Sequence, residues 1–134
     1  GPCFYPGMHG FDNIAKFYAN ATIMLGLRPA EKWVQSVRNH GKGRLLRLWH
    51  SCPGFPRQRA TDAELVDFYH NYTQRIRDFV NQHTSITYIE FNVEDNEIGS
   101  FLEERTGLDG SCFGHCRPGT RCDPRSTLTN KSST

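Results

Sequence analysis

The stretch ATIMLGLRPAEKWVQS, residues 21–36, carries the clearest strand-to-helix pattern of this chain. Its apolar run, Ala21–Leu27, is continuous rather than alternating, which is typical of a strand covered on both faces in a parallel sheet. Pro29 favours the first turn of a helix, because its missing N–H would have no partner there, and Glu31 complements the positive end of that helix. The stretch therefore predicts a buried strand that leads directly into a helix ending near Asn39.

Helical patterns stand on both sides of this stretch. Apolar residues recur at helical spacing just before it, at Phe11, Ile14, Ala15 and Tyr18. Thr61 followed by Glu64 is a capping-box signature, and apolar residues then share one helical face to about His83. Residues 44–58 contain a Cys-Pro-Gly-Phe-Pro run, so we expect an irregular segment there.

A second strand and a last helix complete the pattern. Residues 86–95, ITYIEFNVED, alternate apolar and polar side chains like a strand, and a helix over residues 96–106 is expected to end at Gly107. Helices that alternate with strands in this order predict an α/β fold with a parallel sheet. We expect one domain over residues 1–122 and a polar, disordered tail over residues 123–134.

Composition excludes some classes of protein. The chain has 134 residues and a net charge of only +2, which disfavours a nucleic-acid binder with a basic face. No apolar run approaches the roughly 20 residues that a membrane-spanning helix needs, and the N-terminal residues lack the layout of a signal peptide. Because the chain starts at GPCFYPG without methionine, we expect a processed chain, a cloning remnant or a piece of a longer protein.

Cysteines and glycosylation sequons bear on the compartment. Three sequons occur where chance predicts roughly one; they are Asn20–Thr22, Asn71–Thr73 and Asn130–Ser132. They favour the secretory pathway, with a cytoplasmic protein carrying chance sequons as the alternative. The five cysteines are an odd number, so at least one has no partner within the chain; they are Cys3, Cys52, Cys112, Cys116 and Cys122.

The crowded cysteines raise the question of a metal. Cys112, Cys116 and Cys122 surround His115, and these residue types bind zinc. Their spacing matches no common zinc finger, so we predict no metal site and favour disulfides in a lumenal protein, with Cys3 and Cys52 available as partners for two of the three.

Several polar and aromatic residues are candidates for a site. Ligands of parallel sheets bind at the carboxyl ends of the strands, where Arg28 follows the first strand beside the free N–H groups of a helix. This arrangement suits a phosphate, and Ser36 lies about two helical turns further on; the alternative is a surface or salt-bridge arginine. Glu94 and Asp95 follow the second strand on opposite faces, which favours Asp95 as a helix cap rather than a carboxylate pair.

Aromatic residues outside this edge have simpler interpretations. Trp49 and His50 could line an acceptor groove, but a buried core position is the commoner fate of a tryptophan. Tyr69 and Tyr72 fall on the apolar stripe of the long helix and are expected in the core.

The run IMLGLRPAEKWVQS resembles the 3′-phosphate-binding segment of sulfotransferases that use 3′-phosphoadenosine 5′-phosphosulfate (PAPS). In that family an apolar strand ends in an arginine, a proline opens a helix and a serine falls eight residues after the arginine. The resemblance implies that Arg28 and Ser36 bind the 3′-phosphate of the donor, and Trp33 matches an aromatic residue common at that place. Pro29 follows Arg28 directly, where the family usually has one residue between them, so the helix entry is expected to differ by one residue.

Two later segments are also similar to that family, in the same order. Residues 75–109 resemble its long helix, its strand ending in Glu-Asp and the helix that follows. The run CFGHCRPGTR, residues 112–121, is similar to the closing loop of carbohydrate sulfotransferases. By that match Arg117, Gly119 and Arg121 would wrap the nucleotide.

The resemblance implies a partial, P-loop-NTPase-like sulfotransferase fold with PAPS as cofactor. It also implies sulfate transfer to a hydroxyl, expected to be that of a carbohydrate, in the Golgi lumen, with membrane attachment only through a segment outside this chain. The family's lysine-bearing loop for the 5′-phosphosulfate has no counterpart, since GKGR at residues 41–44 follows a helix and lacks the P-loop spacing. His9 is the only histidine upstream of Arg28, and we assign no catalytic base.

These matches predict the C-terminal portion of a sulfotransferase, inactive without the missing part. Two alternatives stay open. The first is a non-catalytic module that binds a nucleotide or a glycan, and the second is a small secreted interaction domain stabilised by disulfides.

Overall fold

The computed structural model describes Cys3 and residues 10–57 and 59–110. These residues form an α/β structure with five helices and two strands, as the sequence predicts. The elements are α1 (Phe11–Phe17), β1 (Thr22–Leu27), α2 (Ala30–Asn39), α3 (Arg44–Trp49), α4 (Asp62–Gln82), β2 (Thr87–Asn92) and α5 (Ile98–Thr106).

The two strands pair in parallel and form the whole sheet of the described residues. Their register runs from Thr22 opposite Thr87 to Leu27 opposite Asn92, so both strands end at the same edge. Gly26 lies under the side chains of Phe91 in β2 and of Val93 just after it, because a Cβ there would come within 3.2 Å of the Phe91 ring and 2.8 Å of Val93 Cγ1. The predicted parallel arrangement is confirmed, since α2, α3 and α4 provide the long crossover that parallel strands require.

The sheet is covered unevenly by helices. On one face Ile23 and Tyr88 pack against α1 and α4 through a cluster centred on Phe79 and Val80. On the other face Ile98 and Leu102 of α5 cover Ile89 of β2.

Burial of β1 on both faces was therefore a wrong expectation. Along β1 exposed and half-buried residues alternate, and the Met24 side chain is 46% exposed. The reason is that α5 packs against β2 and the described residues provide no cover for the same face of β1. A continuous apolar run shows that a strand can be buried, but the neighbouring elements decide whether it is.

A third cluster joins α2, α3 and α4. Val34, Leu46 and Leu65 form its centre, and Cys52 and Phe55 extend it. The expected irregular segment over residues 44–58 is thus wrong for its first part, which is α3. A six-residue helix is too short to show a clear period, and burial of Leu46 stabilises it.

The ends of the helices are largely as predicted. The capping box is confirmed, because the Glu64 N–H donates to Thr61 Oγ1 at 3.2 Å and the Thr61 N–H donates to Glu64 Oε2 at 2.7 Å. Gly107 ends α5 in the left-handed conformation, with φ of 71°. Asp95 does not cap α5: the capping position is Glu97, whose N–H donates to Asp95 Oδ1 at 2.9 Å in the preceding turn.

The start of α2 lies one residue later than expected, since Pro29 was predicted to be in the first turn of the helix. Pro29 takes the capping position, and the helix begins at Ala30. Separately, the helices within the described ranges include none with the length and apolar character needed to cross a membrane.

Candidate functional site

Arg28 lies at the junction between β1 and α2, and α4 holds its backbone in place. The Arg28 N–H donates to the Tyr69 hydroxyl at 3.1 Å, and that hydroxyl donates to the Arg28 carbonyl at 2.9 Å. The Tyr69 ring packs against Trp33 with centroids 5.2 Å apart. Its position on the apolar stripe predicted that Tyr69 is a core residue. In the structure its hydroxyl also holds the backbone of Arg28 in place.

Two cationic side chains converge on one carboxylate at this edge of the sheet. Arg28 Nη2 lies 3.3 Å from Glu94 Oε1, and Lys32 Nζ lies 2.7 Å from Glu94 Oε2. The hydrogen bond from Lys32, and after it that from Arg28, hold the pKa of the Glu94 carboxyl below its ordinary value. Arg28 and Lys32, the side chains that would bind an anion here, thus already bind the Glu94 carboxylate.

The Arg28 guanidinium is incompletely satisfied. Its side chain is 33% exposed, yet its Nε is buried and has no hydrogen-bond partner among the described atoms. A buried N–H without a partner is uncommon and costs free energy, so it marks a donor that a ligand oxygen could satisfy.

Lys32 and Ser36 share one exposed face of α2. They are four residues apart, which places them about 6 Å from each other along the helix axis. The structure brings Lys32 to Arg28 through Glu94, and a ligand must extend along α2 to reach Ser36 as well. Lys32 was missed at the sequence level, although its position four residues after Arg28 and four before Ser36 is a usable signal.

The first turn of α2 adds backbone donors. Pro29 makes no side-chain cap, and the first amide that bonds within the helix is Trp33 N–H, which donates to the Pro29 carbonyl at 3.0 Å. The N–H groups of Ala30–Lys32 precede that bond and lie at the positive end of the helix dipole. Together with two cations, this end of α2 favours an anion.

A shallow cleft opens beside Arg28 at the carboxyl ends of both strands. Its volume is about 370 Å³, and it is lined by Leu27, Arg28, Pro29, Glu90, Phe91 and Asn92. Asn92 Oδ1 accepts a hydrogen bond from the Glu94 N–H at 2.9 Å, which orders the turn that carries Glu94. The cleft is where ligands of parallel sheets bind.

A second charged group borders the same cleft. Arg77 of α4 donates two hydrogen bonds to Glu90, through Nε at 2.8 Å and Nη2 at 2.7 Å, and the Tyr88 hydroxyl donates to the same carboxylate. The bond from Arg77 lowers the pKa of the Glu90 carboxyl. Burial, and then the bond to Glu90, raise the pKa of Tyr88 to about 12. Because these partners satisfy one another, we interpret the group as a link between α4 and β2.

Some predicted residues lie outside the described ranges. These are Arg117, Gly119 and Arg121 of the proposed nucleotide loop and the cysteines and histidine considered for zinc, namely Cys112, His115, Cys116 and Cys122. The sequence left the disulfide connectivity open, with Cys3 and Cys52 as possible partners for two of those cysteines; in the structure Cys3 and Cys52 form a disulfide with each other. The sequence could not show this pairing, since it depends on which distant segment packs against Cys3 when the chain folds.

The aromatic residue considered for an acceptor groove is half-buried against the core. Trp49 packs against the cluster of α2, α3 and α4, with its ring centroid 5.6 Å from that of Phe55. The packing agrees with the simpler interpretation of Trp49 as a residue that contributes to the core.

Comparison of the chain with known proteins finds no matching family, no matching curated protein and no matching solved structure.

Proposed function

We propose that this chain is a sulfotransferase-type domain that binds PAPS, or its product adenosine 3′,5′-bisphosphate, through the 3′-phosphate. The observation that carries the proposal is the convergence of Arg28 and Lys32 on the single carboxylate of Glu94 at the carboxyl edge of the sheet. A carboxylate and a phosphate present similar oxygen atoms, so a place that holds one suits the other. The order of the motifs supports the same assignment.

Each residue has a distinct role in this proposal. Arg28 donates to the phosphate from the exposed part of its guanidinium, and Lys32 supplies a second positive charge. Ser36 adds a hydroxyl from the next turn of α2. Arg117, Gly119 and Arg121 stay predicted contacts to the nucleotide.

The proposal extends to a P-loop-like fold and to sulfate transfer onto a carbohydrate hydroxyl. Support for the fold is the parallel strand pair, with its ligand cleft at the carboxyl ends. Sulfuryl transfer also needs donors for the bridging oxygen and a base for the acceptor, as phosphoryl transfer does, and we assign neither role to a described residue.

A non-catalytic module that binds a nucleotide or a glycan is the second candidate. Glu94 favours it. Its carboxylate already binds two cations and so lowers the affinity for any other anion at this place, which suits a module that binds its ligand weakly. The third candidate, a secreted interaction domain, has the Cys3–Cys52 disulfide in its favour.

Calorimetric titration with adenosine 3′,5′-bisphosphate tests the proposed site. We expect Arg28→Ala to weaken binding by at least about ten-fold, since it removes charge-assisted hydrogen bonds to the phosphate. The control is Arg75→Ala, which removes an exposed arginine on α4 beside a different cleft and should leave the affinity unchanged. Equal affinities of the Arg28→Ala variant and the parent chain would refute the site.

Transfer assays separate the three candidates. Binding together with movement of labelled sulfate from PAPS to a glycan supports the enzyme. Binding without transfer to any hydroxyl acceptor favours the module, and failure to bind the nucleotide favours the interaction domain.

A further inference from the structure

The sequon at Asn20 lies in an exposed turn between α1 and β1. The turn is closed by the Ala21 N–H, which donates to the Tyr18 carbonyl at 2.9 Å. Asn20 is exposed, and so is Thr22, the first residue of β1, whose hydroxyl completes the sequon. Both side chains that an N-glycosylating enzyme must reach are thus at the surface of the folded protein.

The second described sequon is presented differently. Asn71 is exposed on α4, but Thr73 is only 5% exposed and its hydroxyl donates to the Tyr69 carbonyl at 2.8 Å. Residues two apart on a helix do not face each other, so the folded helix separates the amide from the hydroxyl. In the folded structure Asn20 thus has both side chains of its sequon exposed, whereas at Asn71 the hydroxyl of the sequon is buried.

An independent observation concerns the compartment. Cys3 and Cys52 are joined by a disulfide, and Cys52 is almost completely buried. Structural disulfides of this kind form in oxidising compartments such as the lumen of the endoplasmic reticulum, which is also where asparagine is glycosylated. The disulfide and the sequon thus both indicate that the chain passes through that lumen.

From these observations we propose that Asn20 is an N-glycosylation site. The amide nitrogen of Asn20 forms a bond to the anomeric carbon of an oligosaccharide carried on a lipid diphosphate. The bond between that carbon and the diphosphate oxygen breaks, the lipid diphosphate leaves with the electron pair, and the amide loses one proton. The transferase and the lipid-linked sugar are supplied by the lumen.

A glycan at Asn20 is compatible with a ligand at the other edge of the sheet. Asn20 precedes β1 and Arg28 follows it, so the six-residue strand separates them by about 20 Å. The glycosylation proposal therefore stands or fails independently of the proposed phosphate site.

The test expresses the full chain behind a cleavable secretion signal in animal cells. Glycopeptides from the cells and from the medium are treated with peptide N-glycosidase in ¹⁸O water, and conversion of each asparagine to labelled aspartate is measured by mass spectrometry. We expect label at Asn20. Because sugar is attached before folding is complete, material that folds poorly and stays in the cell still reports occupancy.

Two substitutions at Thr22 test whether the hydroxyl of the sequon is required. Thr22→Val removes the hydroxyl and keeps a β-branched residue in β1, and it should abolish label at Asn20. Thr22→Ser keeps a hydroxyl and should retain it. Absence of label at Asn20 in the parent chain, or its persistence in Thr22→Val, would overturn the proposal.

Discussion

At the scale of single residues, Glu94 is the feature that most affects the proposed site. Its carboxylate contacts both Arg28 and Lys32, so an incoming phosphate must compete with it. One carboxylate does not neutralise two cations, and the Arg28 Nε has no hydrogen-bond partner within the described part of the chain. The site therefore keeps some attraction for an anion while Glu94 limits the affinity.

We expect Glu94→Gln to tighten binding of adenosine 3′,5′-bisphosphate by about two- to five-fold, because a neutral amide competes less well for the two cations. Calorimetry at low and high salt measures the change, which should shrink at high salt.

Glu31→Gln is the matched control for this prediction. Glu31 is an exposed carboxylate in the first turn of the same helix, so its loss changes the net charge equally. A gain in affinity confined to Glu94→Gln assigns the effect to direct competition. If Glu94→Gln instead weakens binding, Glu94 orients the cations and does not compete.

At the scale of elements, α4 organises the molecule. It begins at a capping box, positions Arg28 through Tyr69 and reaches β2 through Arg77 and Glu90. The Arg77–Glu90 contact is bidentate, which is the stronger geometry for such a pair. Because the carboxylate must be charged to accept both bonds, this contact makes the stability depend on pH.

We expect Glu90→Gln to lower the free energy of unfolding by about 1 kcal/mol at neutral pH, a figure reduced for the partial exposure of the pair. The folded pKa of Glu90 lies below its unfolded value. Its contribution is thus present above the ordinary glutamate pKa of about 4.3 and is lost as the pH falls through the lower folded pKa.

Urea unfolding at pH 7 and in acid measures this effect. The difference between the parent chain and Glu90→Gln should shrink in acid, whereas Glu104→Gln, an exposed change on α5, should have little effect at either pH. A difference that does not depend on pH would contradict the ion-pair explanation.

At the scale of the whole molecule, the described residues form three separate hydrophobic clusters rather than one core. The largest lies away from the sheet, among α2, α3 and α4, and the disulfide ties Cys3 to it. Among the residues that the structure describes, the sheet has two strands and nothing covers the Met24 side of β1. The disulfide therefore links the N-terminal end of the chain to the largest cluster.

We expect loss of the Cys3–Cys52 disulfide to lower the free energy of unfolding by up to about 4 kcal/mol, since it closes a loop with a sequence separation of 49. Urea unfolding of Cys3→Ser measures this. As a control, a reducing agent should destabilise the parent chain by a similar amount and leave Cys3→Ser nearly unchanged. Equal stability of both proteins would show that the link contributes nothing.

Much of the fold could be predicted because its signals are local. The capping box at Thr61, the helical period after it and Gly107 at the end of α5 are short-range patterns, and each is found as predicted. The position of Arg28 at the carboxyl end of β1 followed in the same way. For Ser36 the structure adds only its exposed place on α2, and its predicted role in phosphate binding stays a prediction.

Other features were decided by contacts between distant residues. Tyr69 lies 41 positions from Arg28, and Glu94 lies 62 positions from Lys32, so no short pattern relates them. α3 owes its helix to the burial of Leu46 among side chains of α2 and α4.

The sequence by itself determined the order and type of the main elements, because backbone hydrogen bonding and side-chain period act over a few residues. It also determined the parallel strand pair and the place of Arg28 at its ligand-binding edge. Packing between distant segments brings Lys32 and Glu94 to Arg28, pairs Cys3 with Cys52 and leaves Met24 exposed. Those outcomes depend on which surfaces meet when the chain packs, and that is a property of the whole arrangement.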